Sequence, residues 1–407
     1  MTTAEQRAIA ARLKAERERR GWGQRKMARF LRDAVNDPQK PELPSFVTYV
    51  KRWESGKVPV TDSRYRTAYA AVFGMDENEL FGRREVIAAG VGMVGLLLTG
   101  HPVDHLTAGR RIGMSTVDRL RERAVRLRNL DDYLGGADTY RLYLAELEAT
   151  QGLLNEGAAG ETVRRELLAL VAEQAQQAGW AAFDAGWHDI AAALYETARA
   201  AAVDADDAAL EGNSLAYRAY QMGADGADMA TASYEIAAEA PCRVRALLLE
   251  RAAWAHAVAG RPAETDRLLG RATEALAADR GQAPHWASWV DEVELQIMAG
   301  RCWTELHRPL RAVPALESAL ARYDDSHARD KALYLTWLGA AYLDGREIER
   351  ACVAIGRAME LATGVASVRP RQRVRVLLGR MSPYRSTPEV ADLMDRAHDW
   401  LTVSSTS

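Results

Sequence analysis

Apolar residues recur at three- and four-residue spacing along most of this chain, the mark of helices with one buried side. In residues 1–82 the pattern predicts five short helices. The first runs to about Arg20, capped by Thr2 or Thr3, with Ile9 and Leu13 inward and Gly21 ending it. The second is Gln24–Leu31, with Met27, Phe30 and Leu31 inward. A polar, proline-rich link from Asp33 to Pro44 follows. The third spans Ser45–Lys57, SFVTYVKRWESGK: Ser45 caps it, Phe46, Val50 and Trp53 share the buried face, and Gly56 closes it. Thr48, Tyr49, Lys51 and Arg52 then point outward, and none is acidic. Asp62–Phe73 and Asp76–Leu80 complete the set.

The body of the chain repeats itself. Gly186, Gly223, Gly260, His307 and Gly345 stand at intervals of 37, 37, 47 and 38 residues. Small residues sit at fixed offsets around each anchor: Gly179 and Ala198, Ala216, Ala253 and Ala272, Gly300 and Ala319, and the stretch Trp337–Ala351 with Ala358. Small positions let the two helices of a unit approach closely, and larger ones such as Tyr195, Leu269, Leu316 and Ile355 are expected to fill the gap to the next unit. The pattern resembles tetratricopeptide repeats over roughly residues 165–362. Helices at Ser115–Leu130 and Asp138–Leu154 extend or cap the stack, and segments Arg371–Arg380 and Pro388–Leu401 close its far end. The fold class expected is all-α, a five-helix domain followed by an α-solenoid.

Such a stack presents a concave face from its first helices. The positions there are Gln176, Gln177, Trp180 and Asp184, then Asn213, Tyr217 and Tyr220, then Glu250 and Trp254, then Arg301. Glu173, Phe183, Gln221, Arg251 and Glu305 fall on the same side. Amides beside aromatics suit an extended peptide: the Asn213 amide can pair with peptide backbone, and the rings can hold side chains. The aromatic positions serve equally well as core between repeats.

Charge sharpens the division. The net charge of −3 conceals 18 Lys and Arg against 12 Asp and Glu in residues 1–85, and 35 against 44 in the rest. A basic head on an acidic body points the head alone at a polyanion. Cys242, Cys302 and Cys352 are far apart and odd in number, as expected of reduced thiols in a cytoplasmic protein. No secretory signal is expected at the polar N-terminus. The apolar run Val86–Leu98 has 13 residues and three glycines, too short to span a bilayer. We expect a linker there, over residues 83–113. Its Gly90, Gly92 and Gly95 fit G-x-G-x-x-G, but neither a preceding strand nor a following helix supports a dinucleotide site. His101 and His105 are separated by Pro102, which makes a helical metal-ligand spacing unreliable. HExxH, G-x-S-x-G and P-loop motifs are missing, so no enzyme, cofactor or metal is expected.

Helices of this length, with a basic third one ending in W-E-x-G, resemble the XRE, or phage-repressor-like, helix-turn-helix family. Gln24, Ala28, Val50, Trp53, Glu54, Gly56 and Pro59 carry the resemblance, over roughly residues 5–81. The resemblance implies that Arg17 pairs with Glu54. It also implies DNA contacts: Gln24, Arg25 and Lys57 at phosphates, and Ser45, Val47, Thr48, Lys51 and Arg52 along the helix in the major groove, with Tyr49 able to serve either way. Arg52 is the best base reader, because its fork can grip a guanine. The link between helices two and three is longer than the family's.

The layout, with a repeat domain over residues 114–402, is similar to peptide-pheromone receptor regulators of Gram-positive bacteria and related actinomycete regulators. It implies a cytoplasmic homodimer that binds a palindromic operator and senses a peptide or small molecule. The competing reading is an interaction scaffold, with the repeats holding a protein and the basic head docking it. A cysteine-based redox sensor is a third.

Overall fold

The computed structural model describes residues 9–10, 12–14, 16–17, 20, 22–35, 40–55, 58, 60, 62–73, 80, 111–131, 136–323, 328–363 and 367–402. These residues are all-helical, apart from a two-residue parallel pairing of β1 (Arg111–Ile112) with β2 (Ala158–Ala159). The chain divides into two compact units, residues 1–105 and 106–407. The expected caps Thr2 and Thr3, the stops Gly21 and Gly56, Lys57, most of the fifth helix, and the apolar run with its glycines and His101 and His105 lie outside the described residues.

In the first unit, helical residues at 9–10, 12–14 and 16–17 precede α1 (Gln24–Ala34), α2 (Leu43–Glu54) and α3 (Ser63–Phe73). Leu13, Met27, Leu31, Phe46, Val50 and Tyr69 are fully buried together, as the spacing demands. Phe30 is only half-buried and meets Trp22 edge-on. Two expectations change in α2. The helix begins two residues early, at Leu43, and its N-cap is Glu42 rather than Ser45. Pro44 explains this: its fixed φ and missing N–H suit the first turn, which moves the start upstream. Extension of α1 and α2 also shortens the link to residues 35–42. Tyr49 does not simply face out. It is half-buried, and its ring packs on Phe46, Trp53 and Tyr65.

In the second unit, α4 (Met114–Asp131) and α5 (Gly136–Glu156) lead into five successive helix pairs among the described residues. The pairs are α6 (Glu161–Asp184) with α7 (His188–Asp204), α8 (Ala208–Met222) with α9 (Ala227–Ile236), and α10 (Cys242–Val258) with α11 (Pro262–Ala277). Then come α12 (Glu292–Glu305) with α13 (Pro309–Leu320), and α14 (Ala328–Asp344) with α15 (Ile348–Ala362). Each pair's first helix packs on the first helix of the next. The chain ends in α16 (Arg369–Met381) and α17 (Pro388–Thr402), packed on the last pair.

Why the pairs close is visible at their glycines. A Cβ on Gly179 would meet the Tyr195 ring at 2.5 Å, one on Gly300 would meet Leu316 Cγ at 2.5 Å, and one on Gly339 would meet Ile355 at 2.8 Å. The large residue therefore seats on the glycine of its own pair, and Tyr195 also reaches the next unit, where its ring stacks on Tyr217 at 5.4 Å. The partners lie sixteen residues apart each time (179 and 195, 300 and 316, 339 and 355). The turns repeat as well. Gly186, Gly260, His307 and Arg346 take positive φ, and the next residue's N–H bonds back five residues, as Trp187 to Ala182 at 2.8 Å. In the last unit the left-handed residue is Arg346, one position beyond the Gly345 anchor. The second unit departs from the rule: Gly223 leads into a 3-10 turn and α9 is short.

Gly300→Ala is expected to destabilise the protein by about 1–3 kcal/mol, because the overlap lies in a packed helix contact. Gly270→Ala, on α11 with nothing within 4 Å of the new Cβ, should stabilise it by about 0.5–1 kcal/mol. Urea unfolding followed by circular dichroism measures both.

Candidate functional site

In the first unit the polar face of α2 is held by a buried ion pair. Arg17 Nε donates to Glu54 Oε1 at 2.7 Å and its Nη2 to Oε2 at 3.0 Å. A third Arg17 N–H donates to the Trp22 carbonyl at 2.7 Å. The Gln24 amide also donates to Glu54, at 3.1 Å, so this group is engaged inside the unit rather than turned to a phosphate. Both charges are nearly inaccessible. Such a pair fixes geometry more surely than it adds stability, since removing one partner strands the other.

Beyond this pair α2 turns a basic side to solvent. Thr48, Lys51 and Arg52 are exposed and Val47 is half-buried. Thr48 Oγ1 donates back to the Pro44 carbonyl, and Ser45 sits in the first turn. On α1, Arg25 and Arg29 are exposed four residues apart, hence on one side of the helix. Among the described residues, Arg25, Arg29, Lys51 and Arg52 have no side-chain hydrogen bond or ion pair. These four cations, without partners among the described residues, are able to neutralise phosphates. Arg29 escaped the sequence reading, though its spacing from Arg25 was visible.

In the second unit the concave positions divide into two groups. Gln176, Gln177, Trp180, Asn213 and Tyr217 line a cavity of about 530 Å³. Asp184, Tyr220, Glu250, Trp254 and Arg301 do not line it; they form the interior array beside it. Asn213 Nδ2 donates to Gln176 Oε1 at 2.6 Å, and Gln176 Nε2 donates to Ser214 Oγ and the Leu210 carbonyl. The amide expected to hold a peptide backbone is thus tied to its neighbour. Gln177, with its amide oxygen turned to Arg128, accepts from Nε at 3.2 Å.

The interior array centres on Tyr220. Its phenol oxygen accepts from Arg301 Nη2 at 2.7 Å and from Arg369 Nη2 at 3.0 Å. Rings of Trp180, Phe183 and Trp254 surround it at 5.7 to 5.9 Å. The Arg301 guanidinium lies over Trp254, 4.6 Å from its centroid. Arg369 also faces Asp184 at 3.6 Å, and Ser367 Oγ donates to Asp184 at 2.9 Å. Arg373 stacks 3.1 Å over Trp337 and donates to Thr336. The start of α16 therefore does more than close the far end. It reaches the first pair, 183 residues back from Ser367, and Asp184 is consumed by that contact.

These surroundings shift titrations. Burial raises the Tyr220 phenol, but Arg301, Arg369 and Arg251 outweigh it and bring it down to about 8. Burial drives the Glu250 carboxyl well up, and neither of its oxygens accepts a hydrogen bond among the described residues. Cys302 and Cys352 are buried and Cys242 half-buried, all free, and burial raises the Cys302 thiol. Nothing in this favours a reactive thiolate. Among the described residues no group of His, Cys, Asp or Glu has the geometry to hold a metal, and no helix is long and apolar enough to cross a membrane.

Sequence reasoning missed several cavity residues: Arg128 on α4, Trp286 and Trp289 between α11 and α12, and Tyr334 on α14. The 47-residue interval between Gly260 and His307 was the available signal. Its excess length is the loop that carries both tryptophans.

Two outcomes are expected. Glu54→Gln should destabilise the first unit by about 3–5 kcal/mol, seen in the full chain as faster hydrogen exchange of α2 amides with α14 unchanged. Tyr220 should titrate in near-ultraviolet absorbance near 8, and Tyr220→Phe should remove that step. The native phenol loses its proton before the unfolded one does, near 10, so stability should rise with pH between these values. Comparison with known proteins adds no relative: the chain matches no family model, no curated protein and no solved structure.

Proposed function

We propose that the protein is a sequence-specific DNA-binding transcriptional regulator of the cytoplasm. In this reading residues 1–82 are a helix-turn-helix domain of the XRE kind, and residues 114–402 are a tetratricopeptide-like sensor that also forms a homodimer. The observation that carries the reading is the α2 face. Thr48, Lys51 and Arg52 are exposed on a helix whose other side is packed solid, and the two cations lack internal partners among the described residues. A helix so equipped fits a major groove, with Arg52 gripping a guanine and Lys51 near the backbone. Arg25 and Arg29 add phosphate contacts. A dimer would meet two half-sites about one helical turn apart, or a multiple of it. The cavity is the place for an effector, whose binding would bias the curvature of the helix stack and so the spacing of the two heads.

Selection from random duplexes, followed by anisotropy titration, tests this. One palindromic sequence should be recovered. Arg52→Ala should cost about 1–3 kcal/mol at one base position and relax specificity there, and Arg25→Ala should weaken all sequences alike. Salt-sensitive binding with no preferred sequence would instead support a docking module.

A further inference from the structure

The cavity has used its polar groups unevenly. Its carboxylates are largely occupied. Glu173 accepts from Arg128 at 2.7 Å, Asp291 caps α12 by accepting from the Val293 and Glu294 N–H groups, and Asp330 accepts from Arg329 at 3.2 Å. Arg251 differs. It donates no hydrogen bond among the described residues, and its ion-pair partners Glu250 and Glu294 both stand at 3.7 Å. That separation is beyond hydrogen-bond reach.

Arg251 lines the cavity, and none of the five N–H donors of its planar fork is taken by a hydrogen bond among the described residues. The fork matches a carboxylate held by two parallel bonds. Burial raises the carboxyls of both glutamates above their ordinary range. Burial works against the charge of Arg251, but Glu250 and Glu294 outweigh it and keep the group protonated.

The walls decide the rest of the ligand. The Trp289 ring lies 5.9 Å from the Arg251 guanidinium, and its indole N–H is fixed on the Trp286 carbonyl at 2.8 Å. Trp180 on α6 and Tyr217 on α8 also line the cavity, with rings 5.5 Å apart. About 530 Å³ is the scale of a small molecule. With Asn213 tied to Gln176, the amide ladder that an extended peptide needs is not offered here.

We propose that this cavity binds a small carboxylate with an aromatic body, the carboxylate gripped by Arg251 and the body lying against Trp289. Its role as effector rests on the regulator reading, whereas its chemistry does not. A free aromatic acid and the C-terminal end of a very short peptide share that chemistry.

Matched acids and amides test it on the full-length protein by calorimetry. The probes are indoleacetate with indoleacetamide, phenylacetate with phenylacetamide, and a leucyl-tryptophan dipeptide with its C-terminal amide. In at least one pair the acid should bind about tenfold or more tightly than its amide. Arg251→Gln should remove that preference. Trp289→Ala, which leaves every charge in place, should weaken acid and amide alike and keep the preference, so the claim stays open to refutation even if Arg251→Gln misfolds. Preference confined to the dipeptide pair names a peptide end, and preference among the free acids names an aromatic acid. Equal binding of acid and amide in every pair, no binding by any probe, or a preference that survives Arg251→Gln overturns the proposal. No DNA enters the measurement, so an acid that binds without altering operator affinity would overturn the effector role and leave the site standing.

Discussion

The second unit depends on how it buries its arginines. Arg301 and Arg369 both lie inside the stack, and neither can shed its charge. A buried cation needs an acceptor or an aromatic face close by. One residue, Tyr220, supplies an acceptor to both and stands amid the rings that flank them. The array therefore joins α6, α8, α10, α12 and α16, elements far apart in sequence. Because Arg369 and Ser367 reach Asp184 on α6, the end of the chain is fastened to the beginning of the stack. The last helices and the first pair are thereby tied together across the line of helix pairs.

That tie also explains where the cavity is. One part of the side formed by the first helices of the pairs is filled by the Tyr220 array. The other is bounded by α4, α6 and α8, by the long loop before α12, and by α14. A ligand held there touches several pairs at once. On the regulator reading proposed above, occupancy would favour one arrangement of the stack over another, since packed helices shift between discrete arrangements more readily than they deform.

The first unit uses a buried charge differently. Arg17 and Glu54 are matched by two hydrogen bonds, and Gln24 adds a third to the same carboxylate. The pair lies beneath the end of α2, and the cations on α2 itself stay outside it. Two kinds of basic residue follow: Arg17, which positions the helix, and Arg25, Lys51 and Arg52, which remain available to a polyanion.

Much of this was legible without coordinates, because it depends on local periodicity and local sterics. The helices, the inward faces of α1 and α2, the repeat interval and most of the left-handed turns all follow from neighbours a few residues apart. The Arg17–Glu54 partnership was legible through a motif. The start of α2 was misread because Pro44 outranks Ser45 as a start signal, and Tyr49 was misread because aromatic contacts with Tyr65 lie outside its own helix. What only tertiary structure decided was how the concave polar residues spend their hydrogen bonds. Asp184, Tyr220, Trp254 and Arg301 have the composition of a binding groove, yet their partners arrive from segments as distant as residue 369 and use them up. Arg251 looks no different from them in sequence, and it keeps its donors because nothing among the described residues takes them. Helical pattern is set by spacing of a few residues, whereas satisfaction of a buried charge is set by whatever the whole chain brings beside it.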